Sequence, residues 1–149
     1  QKTVQIGYLA RTANLLGIKT PKIACIAPSE QLLPNVVSST EGALLAKMAD
    51  RGQLGDVVVD GPLSLDVALY KEVAEHKKVR GSSVAGDPDC LLFPNLESAN
   101  VFFKSVSHLC GGELAAMVMG TKVPCVLTSR GDTSKTKLYS IALACLAAR

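Results

Sequence analysis

Apolar residues along the chain alternate between a helical period and short continuous runs. Near the amino terminus they recur at helical spacing and stop at Gly17, as at the end of a helix. The residues that form this pattern are Ile6, Leu9, Ala13 and Leu16. The next apolar run, Lys22 to Ala27, predicts a buried strand.

The same alternation continues through the middle of the chain. Ser38 and Glu41 have the spacing of a capping box, which predicts a helix from there to Arg51. Residues 57–59 are three consecutive valines, typical of a strand covered on both faces, and Asp60-Gly61-Pro62 predicts its end. The remaining predicted elements are a helix over 64–77, a strand over 90–93, a helix capped by Asn95 that carries Leu109, strands over 114–119 and 123–127, and a helix over 134–148.

Strands that alternate with helices predict an α/β fold, with a mostly parallel sheet and helices on both faces. Only Gly120, Thr121 and Lys122 separate the last two predicted strands, so we expect an antiparallel pair or a bend there. Ligands of parallel sheets bind beyond the carboxyl ends of the strands. Three segments have that place in the pattern: Asp60-Gly61-Pro62, Pro94-Asn95-Leu96-Glu97 and Ser129-Arg130-Gly131-Asp132.

The last predicted helix is apolar on every side from Ser140 to Ala148. Such a helix is normally buried all round, and at the end of a domain it would leave an exposed apolar patch. We therefore expect the chain to be a piece of a larger protein, in which another part covers this helix.

Composition narrows the possible functions. Hydrophobic residues make up 48% of the 149 residues, which is enough for a real core and excludes a disordered tail. A net charge of +3 from scattered lysines does not favour nucleic acid as a partner. No apolar run approaches the roughly 20 residues of a membrane helix, and the first residues do not resemble a signal peptide. These features predict a cytoplasmic domain without a membrane partner.

The five cysteines and two histidines do not form a recognisable metal motif. No two cysteines have the C-x-x-C spacing and each is flanked by apolar residues, so we expect reduced, packed thiols. We expect no metal site. The sequence also lacks G-x-G-x-x-G and Walker A motifs, so a nucleotide fingerprint is absent.

The strongest local signal is Ser129-Arg130, on a loop directly before a predicted helix. Helix N-terminal N–H groups favour an anion, and the planar guanidinium matches phosphate oxygens. A helix cap with a surface charge explains the same pair, and both interpretations stay open. Asp132 is likewise either a helix cap or a general base.

Other candidates carry equally open alternatives. Asp60 with Gly61 either orients a ligand or makes an ordinary turn. Asn95, Asn100 and Lys104 either line a site or form a solvated helix face. The basic run 76–80 either meets a nucleotide phosphate or complements the dipole of its own helix.

Taken together, five segments resemble the phosphate acetyltransferase and phosphate butyryltransferase family, and the butyryl branch more than the acetyl branch. They are Ala46-Lys47-Met48-Ala49-Asp50-Arg51-Gly52-Gln53, 59–68 with Asp-Gly-Pro-Leu, 83–89, 93–104 with Phe-Pro-Asn-Leu-Glu, and 124–130 with Leu-Thr-Ser-Arg. The resemblance covers nearly the whole chain in one order, which makes it more specific than any single motif.

The resemblance implies an architecture. Family chains are about twice as long, with two α/β domains across a cleft in a fold like that of isocitrate and isopropylmalate dehydrogenases. By this resemblance residues 1–128 are the second domain, and 129–149 are the loop and helix that return to the absent first domain. A homodimer or larger homo-oligomer is also implied.

The resemblance also implies a reaction, in which acyl-CoA and phosphate give acyl phosphate and CoA without a tightly bound cofactor. Ser129 and Arg130 match the family's Ser-Arg and would stabilise the oxyanion or phosphate. The implied substrate-binding residues are Asp60, Gly61, Asn95, Asn100 and Lys104. Two departures are that Lys135 and Thr136 stand where the family has an acid, which makes Asp132 the candidate base, and that Asn95 replaces a second acid.

Two further interpretations compete with an enzyme of this type. A non-catalytic domain that binds acyl-CoA and assembles oligomers is compatible with the missing acid after Ser-Arg. A dehydrogenase of the related fold ranks last, because the sequence has no recognisable nucleotide motif or cluster of metal-binding carboxylates.

Overall fold

The structure is a computed structural model that describes residues 1–148. The helices and strands of this part of the chain follow one another as α1 (Lys2–Leu15), β1 (Lys22–Ile26), α2 (Val37–Asp50), β2 (Val58–Leu63), α3 (Leu65–Leu69), α4 (Lys71–His76), β3 (Cys90–Leu92), α5 (Leu96–His108) and α6 (Ser134–Ala147). The chain divides into two compact units, Gln1–Leu96 and Glu97–Arg149. The sheet belongs to the first unit.

The sheet has three strands in the order β2-β1-β3, and β1 is parallel to both neighbours. Ile23 of the central strand pairs with Val59 on one side and with Cys90 on the other. Parallel strands need crossover connections, which α2 provides between β1 and β2, and α3 with α4 between β2 and β3. The predicted parallel α/β sheet is confirmed.

Helices cover both faces of the sheet. Alternate residues of β1 point to opposite faces, so Ile23 and Cys25 enter one apolar cluster and Ala24 enters the other. The first cluster includes Ile6 of α1 and Leu45 of α2. The second cluster lies on the opposite face of the sheet. It includes Val67 and Ala68 of α3, Ala74 of α4, and Val84. The predicted double covering is therefore confirmed in the first unit.

The predicted capping box of Ser38 and Glu41 is wrong. Helix α2 begins at Val37 after Val36, and no side chain caps its N-terminus. The Glu41 carboxylate instead pairs with the Lys2 ammonium at 3.1 Å. A partner from another helix thus replaces the local hydrogen bond that the spacing predicted.

Two boundaries around β2 also differ from the prediction. The strand does not end at Asp60-Gly61-Pro62 but continues through this turn-like sequence to Leu63. The predicted helix over 64–77 is interrupted at Tyr70, whose extended backbone (φ −123°, ψ 116°) separates α3 from α4. Tertiary pairing with β1 therefore overrides the turn propensity of the Gly-Pro pair.

In the second unit, the two predicted strands over 114–119 and 123–127 are wrong. The expected antiparallel arrangement is confirmed only as one isolated bridge between Val118 and Cys125, in which the Val118 N–H donates to the Cys125 carbonyl at 2.8 Å. The final helix is confirmed as α6, and its exposed apolar surface includes Leu138 and Ile141, 62% and 55% exposed. The one buried α6 residue is the polar Ser140.

The cysteines are free thiols, as predicted, but they are not all packed. Cys25 is buried and Cys90 is half-buried, whereas Cys110, Cys125 and Cys145 are exposed. Apolar flanking residues therefore did not predict burial for Cys110, Cys125 and Cys145, which all lie in the second unit. Within residues 1–148, every helix is too short or too polar to span a bilayer.

Candidate functional site

Asp60 and Gly61 lie within β2, close to the carboxyl end of the strand. The Asp60 Oδ1 accepts the Gly61 N–H at 2.8 Å, and both residues are half-buried. Gly61 packs so closely on the central strand that a Cβ there would lie 2.6 Å from the Cys25 Cβ. Close packing against Cys25 therefore requires a glycine at position 61.

Cys25 is the buried thiol nearest these residues along the sheet. Burial is the main cause that raises the pKa of its thiol to about 12, and the negative charge of Asp60 adds to it. A thiol with this pKa is protonated at neutral pH, and thiols react as thiolates. Cys25 is thus a packing residue of the sheet rather than a nucleophile.

A polar cluster that the sequence analysis missed lies beyond the carboxyl ends of β1 and β2, formed by Glu30, Ser64, Asp66 and Lys77; we name it the Lys77 cluster. The Lys77 ammonium lies 3.0 Å from the Asp66 carboxylate, 3.5 Å from the Glu30 carboxylate and 3.3 Å from the Ser64 hydroxyl. The Ser64 hydroxyl donates to the Glu30 carboxylate at 3.1 Å. Lys77, which is the C-cap residue of α4, therefore makes ion pairs with distant segments in addition to standing at the helix end that the basic run predicted.

At the carboxyl end of β3, Lys2 connects three elements. Its ammonium donates to the Pro94 carbonyl at 2.5 Å and pairs with Glu41 of α2. Asn95 follows Pro94 directly and is exposed at the start of α5. The predicted placement beyond the carboxyl end of a strand holds for Pro94 and Asn95, which follow β3, but it is wrong for residues 60–62, which lie inside β2 because this strand continues to Leu63.

Asn100 and Lys104 lie on the part of α5 that belongs to the second unit. Four residues apart on a helix, they share one face. The Lys104 ammonium lies 5.3 Å from the centre of the Phe103 ring, a cation–π distance. Both residues lie on the predicted helix, and their role in binding stays a prediction.

Ser129, Arg130 and Asp132 form a tight turn before α6. The Asp132 carboxylate accepts the Ser129 N–H at 2.8 Å, and the Asp132 N–H donates to the Ser129 carbonyl at 3.1 Å. Ser129 and Arg130 are exposed, whereas Asp132 is half-buried. The turn thus presents a hydroxyl and a guanidinium to solvent directly ahead of a helix N-terminus.

Thr133, not Asp132, caps α6, so the cap interpretation of Asp132 is wrong. The Thr133 hydroxyl oxygen accepts the Thr136 N–H at 3.1 Å. The N–H groups of the first helical turn and the helix dipole still favour an anion at this end. The Asp132 carboxylate accepts the Ser129 N–H and so stabilises the turn rather than the helix end.

Lys135, which stands where the resemblance implies an acid, pairs with Glu113. The ion pair with Lys135 is the main cause that lowers the pKa of the Glu113 carboxyl, and a contact with Tyr139 lowers it further. The Lys135 ammonium also lies 5.7 Å from the centre of the Tyr139 ring. A carboxylate from another segment thus lies beside the first turn of α6.

A groove of about 580 Å³ lies between α1 and residues 54–57, which directly precede the amino-terminal end of β2. Its lining residues include Arg11, Lys19 and Asp56, and none of the predicted site residues. Among residues 1–148, no group of three or more His, Cys, Asp or Glu side chains could hold a metal ion.

Comparison with known proteins identifies relatives by sequence. Residues 5–145 match the family described as "Phosphate acetyl/butaryl transferase". The chain is 46% identical to the phosphate butyryltransferase of Clostridium acetobutylicum over 138 residues, which are 93% of this chain and 46% of that protein. It is 42% identical to the phosphate acetyltransferase of Thermotoga maritima over 143 residues, 96% of this chain and 48% of that protein.

Solved structures agree with the sequence comparison. A branched-chain phosphotransacylase from Enterococcus faecalis superposes with a TM-score of 0.84 at 32% identity, over 94% of this chain and 50% of that one. A phosphotransacetylase from Streptococcus pyogenes gives a TM-score of 0.75 at 28% identity, over 93% and 41%. The chain spans about half the length of the curated relatives that it matches. It belongs to the phosphate acetyl/butyryl transferase family.

Proposed function

We propose that the chain is part of a phosphate acyltransferase, which converts acyl-CoA and phosphate into acyl phosphate and CoA, with butyryl-CoA as the preferred type of substrate. The observation that carries the proposal is the family match over residues 5–145, which includes the Ser129-Arg130 turn before α6. The higher identity to a phosphate butyryltransferase supports the butyryl preference.

The reaction needs an electrostatic site more than a covalent one. A phosphate oxygen attacks the thioester carbonyl carbon, a C–O bond forms, the C–S bond breaks, and CoA leaves as a thiolate that takes up a proton. Negative charge grows on the carbonyl oxygen, and each well-placed donor contributes about 3 to 4 kcal/mol to lowering that barrier. The Ser129 hydroxyl, the Arg130 guanidinium and the N-terminus of α6 are the donors that we assign to this charge.

Asp132 has two possible contributions that its geometry supports. One carboxylate oxygen holds the Ser129 N–H and so keeps the turn in place. As a base in the direction of thiol attack, the carboxylate would take the proton of CoA, whose thiol is mostly protonated at neutral pH. An Asp132→Asn variant keeps an acceptor oxygen for the Ser129 N–H but cannot take a proton, so unchanged turnover in it would remove the base role.

The substrate-binding residues that we propose are Asp60, Gly61, Asn95, Asn100 and Lys104. We assign residues 1–128 to the second domain of the family fold and 129–149 to a segment that returns to the first domain, which the exposed apolar residues of α6 support. The homodimeric state and the cytoplasmic location stay predictions. No observation favours the non-catalytic, acyl-CoA-binding alternative.

The test is phosphate-dependent release of free CoA thiol by the full-length protein to which we assign this chain, with butyryl-CoA and acetyl-CoA compared. We expect faster turnover of butyryl-CoA, and a loss of about 100-fold in Ser129→Ala and Arg130→Gln. Arg51→Gln, which changes an exposed arginine after α2, is the matched control and should leave turnover unchanged. Absence of both turnover and a CoA-induced rise in melting temperature would contradict the proposal; CoA binding without turnover would favour the non-catalytic alternative.

A further inference from the structure

The Lys77 cluster connects three segments of the chain that are far apart in sequence. Glu30 lies in the loop between β1 and α2, Ser64 directly follows β2, and Asp66 is in the first turn of α3. Lys77 follows α4 and contacts all three side chains. One ammonium group therefore holds together the two segments that leave the carboxyl ends of the neighbouring strands β1 and β2.

The surroundings of the cluster distinguish it from an ordinary surface ion pair. Ser64 is 9% exposed, the side chains of Glu30 and Lys77 are 21% and 34% exposed, and that of Asp66 is 50% exposed. The Lys47–Asp50 pair on α2 is the contrasting case, with both side chains more than 60% exposed. Because Glu30 and Lys77 are partly buried, the attraction between their charges is screened less than that of the Lys47–Asp50 pair.

The charges of the cluster argue against anion binding. Two carboxylates surround one ammonium, and the charge of the three groups sums to a net negative value. A phosphate placed at Lys77 would meet the repulsion of Glu30 and Asp66. A lysine near the carboxyl ends of parallel strands could bind a phosphate if its charge were free. Here the Lys77 charge is paired with Glu30 and Asp66, so its contacts hold the backbone segments that carry these residues.

The loop after β1 is anchored on either side of Glu30. Before it, the Ala27 N–H donates to the Leu63 carbonyl at 2.9 Å, which extends the pairing of β1 and β2. After it, the buried Ser39 hydroxyl accepts the Leu33 N–H at 2.9 Å and donates to the Gln31 carbonyl at 3.0 Å. Between these anchors, the Glu30 contacts with Ser64 and Lys77 hold the middle of the loop.

We propose that Lys77 is a positioning residue, which holds the loop over residues 27–36 against the start of α3 and so shapes the carboxyl edge of the sheet beside Asp60 and Gly61. As far as it concerns the acyl-CoA and phosphate that would bind at this edge, the inference rests on the proposed function. The structural part of the inference, in which Lys77 holds the loop in place, is independent of the proposed function.

The protonation states agree with this role. The Ser64 hydroxyl and the Lys77 ammonium lower the pKa of the Asp66 carboxyl to about 2. The pKa of Glu30 is lowered by its own backbone N–H and by Ser64 and Lys77, and the pKa of Lys77 is raised by Asp66 and then Glu30. All three groups are therefore charged at neutral pH.

Hydrogen exchange of the backbone amides tests the tethering directly in this chain. In Lys77→Met, which keeps the aliphatic stem but removes the charge, we expect exchange in segments 27–36 and 64–69 to become about tenfold faster. The β1 amides, which report on unfolding of the sheet, should keep their rates. Lys47→Met removes an ammonium from an exposed ion pair and is the matched control; it should leave both segments unchanged.

Two further variants keep the test decisive. Lys77→Arg restores the positive charge and should recover most of the protection. Should Lys77→Met fail to fold, Glu30→Gln retains the shape of the side chain but weakens its contacts with Ser64 and Lys77, while the Lys77–Asp66 pair stays; it should speed exchange in segment 27–36 alone. Unchanged exchange in both segments, or equal acceleration in β1, would overturn the inference. Because exchange does not require turnover, this outcome is independent of whether the chain is an active acyltransferase.

Discussion

Gly61 of β2 lies directly against Cys25 of β1, with the Cβ position of residue 61 only 2.6 Å from the Cys25 Cβ and 3.0 Å from the Cys25 carbonyl oxygen. We therefore expect Gly61→Ala to force the two strands apart and to lower the free energy of unfolding by about 1–3 kcal/mol. Urea unfolding followed by circular dichroism measures this change.

Gly7→Ala is the matched control for that substitution. Gly7 lies within α1, and a Cβ there would meet no atom within 4 Å. Alanine is the better helix former, so this variant should be more stable by about 0.5–1 kcal/mol. A Gly61→Ala protein that is as stable as the parent would contradict the close packing of β1 and β2.

Acid should weaken the Lys77 cluster in a defined pH range. The folded-state pKa of Asp66 is about 2, below the ordinary value of 3.8, so its ionised form stabilises the fold above about pH 3.8. This contribution is lost as the pH falls through about 2. We expect the parent to be more stable than Asp66→Asn at pH 5, and the difference to disappear towards pH 2, as measured by urea unfolding at each pH.

The control for the acid series is Asp50→Asn, which removes one carboxylate from the exposed pair with Lys47. Exposed pairs of this kind contribute little to stability, so its difference from the parent should stay small throughout. If Asp66→Asn and Asp50→Asn follow the same pH curve, Asp66 has no special interaction with Lys77.

The Glu113–Lys135 pair predicts a charge-reversal rescue. Glu113→Lys or Lys135→Glu alone places like charges together and should lower the melting temperature. The double variant restores an ion pair and puts the carboxylate on the first turn of α6, where the helix dipole favours it. Its melting temperature should therefore equal or exceed that of the parent. A double variant that shows only the sum of the two losses would refute the pairing.

Ser140 predicts a cost for removing one buried hydroxyl. The Ser140 hydroxyl accepts the Ala116 N–H at 3.0 Å and donates to the Thr136 carbonyl at 2.7 Å. In Ser140→Ala the Ala116 N–H loses this partner, which costs about 1–3 kcal/mol of unfolding free energy. Ser134→Ala, on the exposed first turn of α6, is the control and should change stability by less. Equal effects would contradict the structural role of Ser140.

The cysteines should separate by reactivity towards a thiol-specific reagent at pH 8. Cys110, Cys125 and Cys145 are exposed and should react quickly, and Cys90 should react more slowly because burial raises its pKa. Cys25, with its pKa of about 12, should react only on unfolding. Mass spectrometry of the labelled peptides assigns each site, and early labelling of Cys25 would contradict the burial of β1.

The regular elements of the first unit were predictable because their hydrophobic period is strong. The helical spacing that ends at Gly17 and the valine run over 57–59 correspond to α1 and β2. The weaker patterns failed where a distant partner decided the outcome. Glu41 binds Lys2 rather than its own helix N-terminus, and the Gly-Pro pair of β2 stays in the sheet because Cys25 lies against it.

The candidate site shows the same division. The Ser129-Arg130 turn directly precedes α6 in sequence, so the pattern of neighbouring residues was enough to predict a loop followed by a helix there. The Lys77 cluster joins residues up to 47 positions apart, as from Glu30 to Lys77, and no spacing rule relates them. The Glu113–Lys135 pair also joins residues far apart in sequence. The sequence therefore showed that Lys135 replaces the acid of the family pattern, but not that the Glu113 carboxylate lies beside it.

The amino-acid sequence by itself determined the alternation of helices and strands, the parallel α/β class and the resemblance to the phosphate acyltransferases, because periodicity and contiguous motifs are local properties of the chain. Only the tertiary structure decided which charges meet, which thiols are buried and where β2 ends. These depend on through-space contacts between segments such as 27–30 and 64–77, whose energies appear only after the sheet has brought them together.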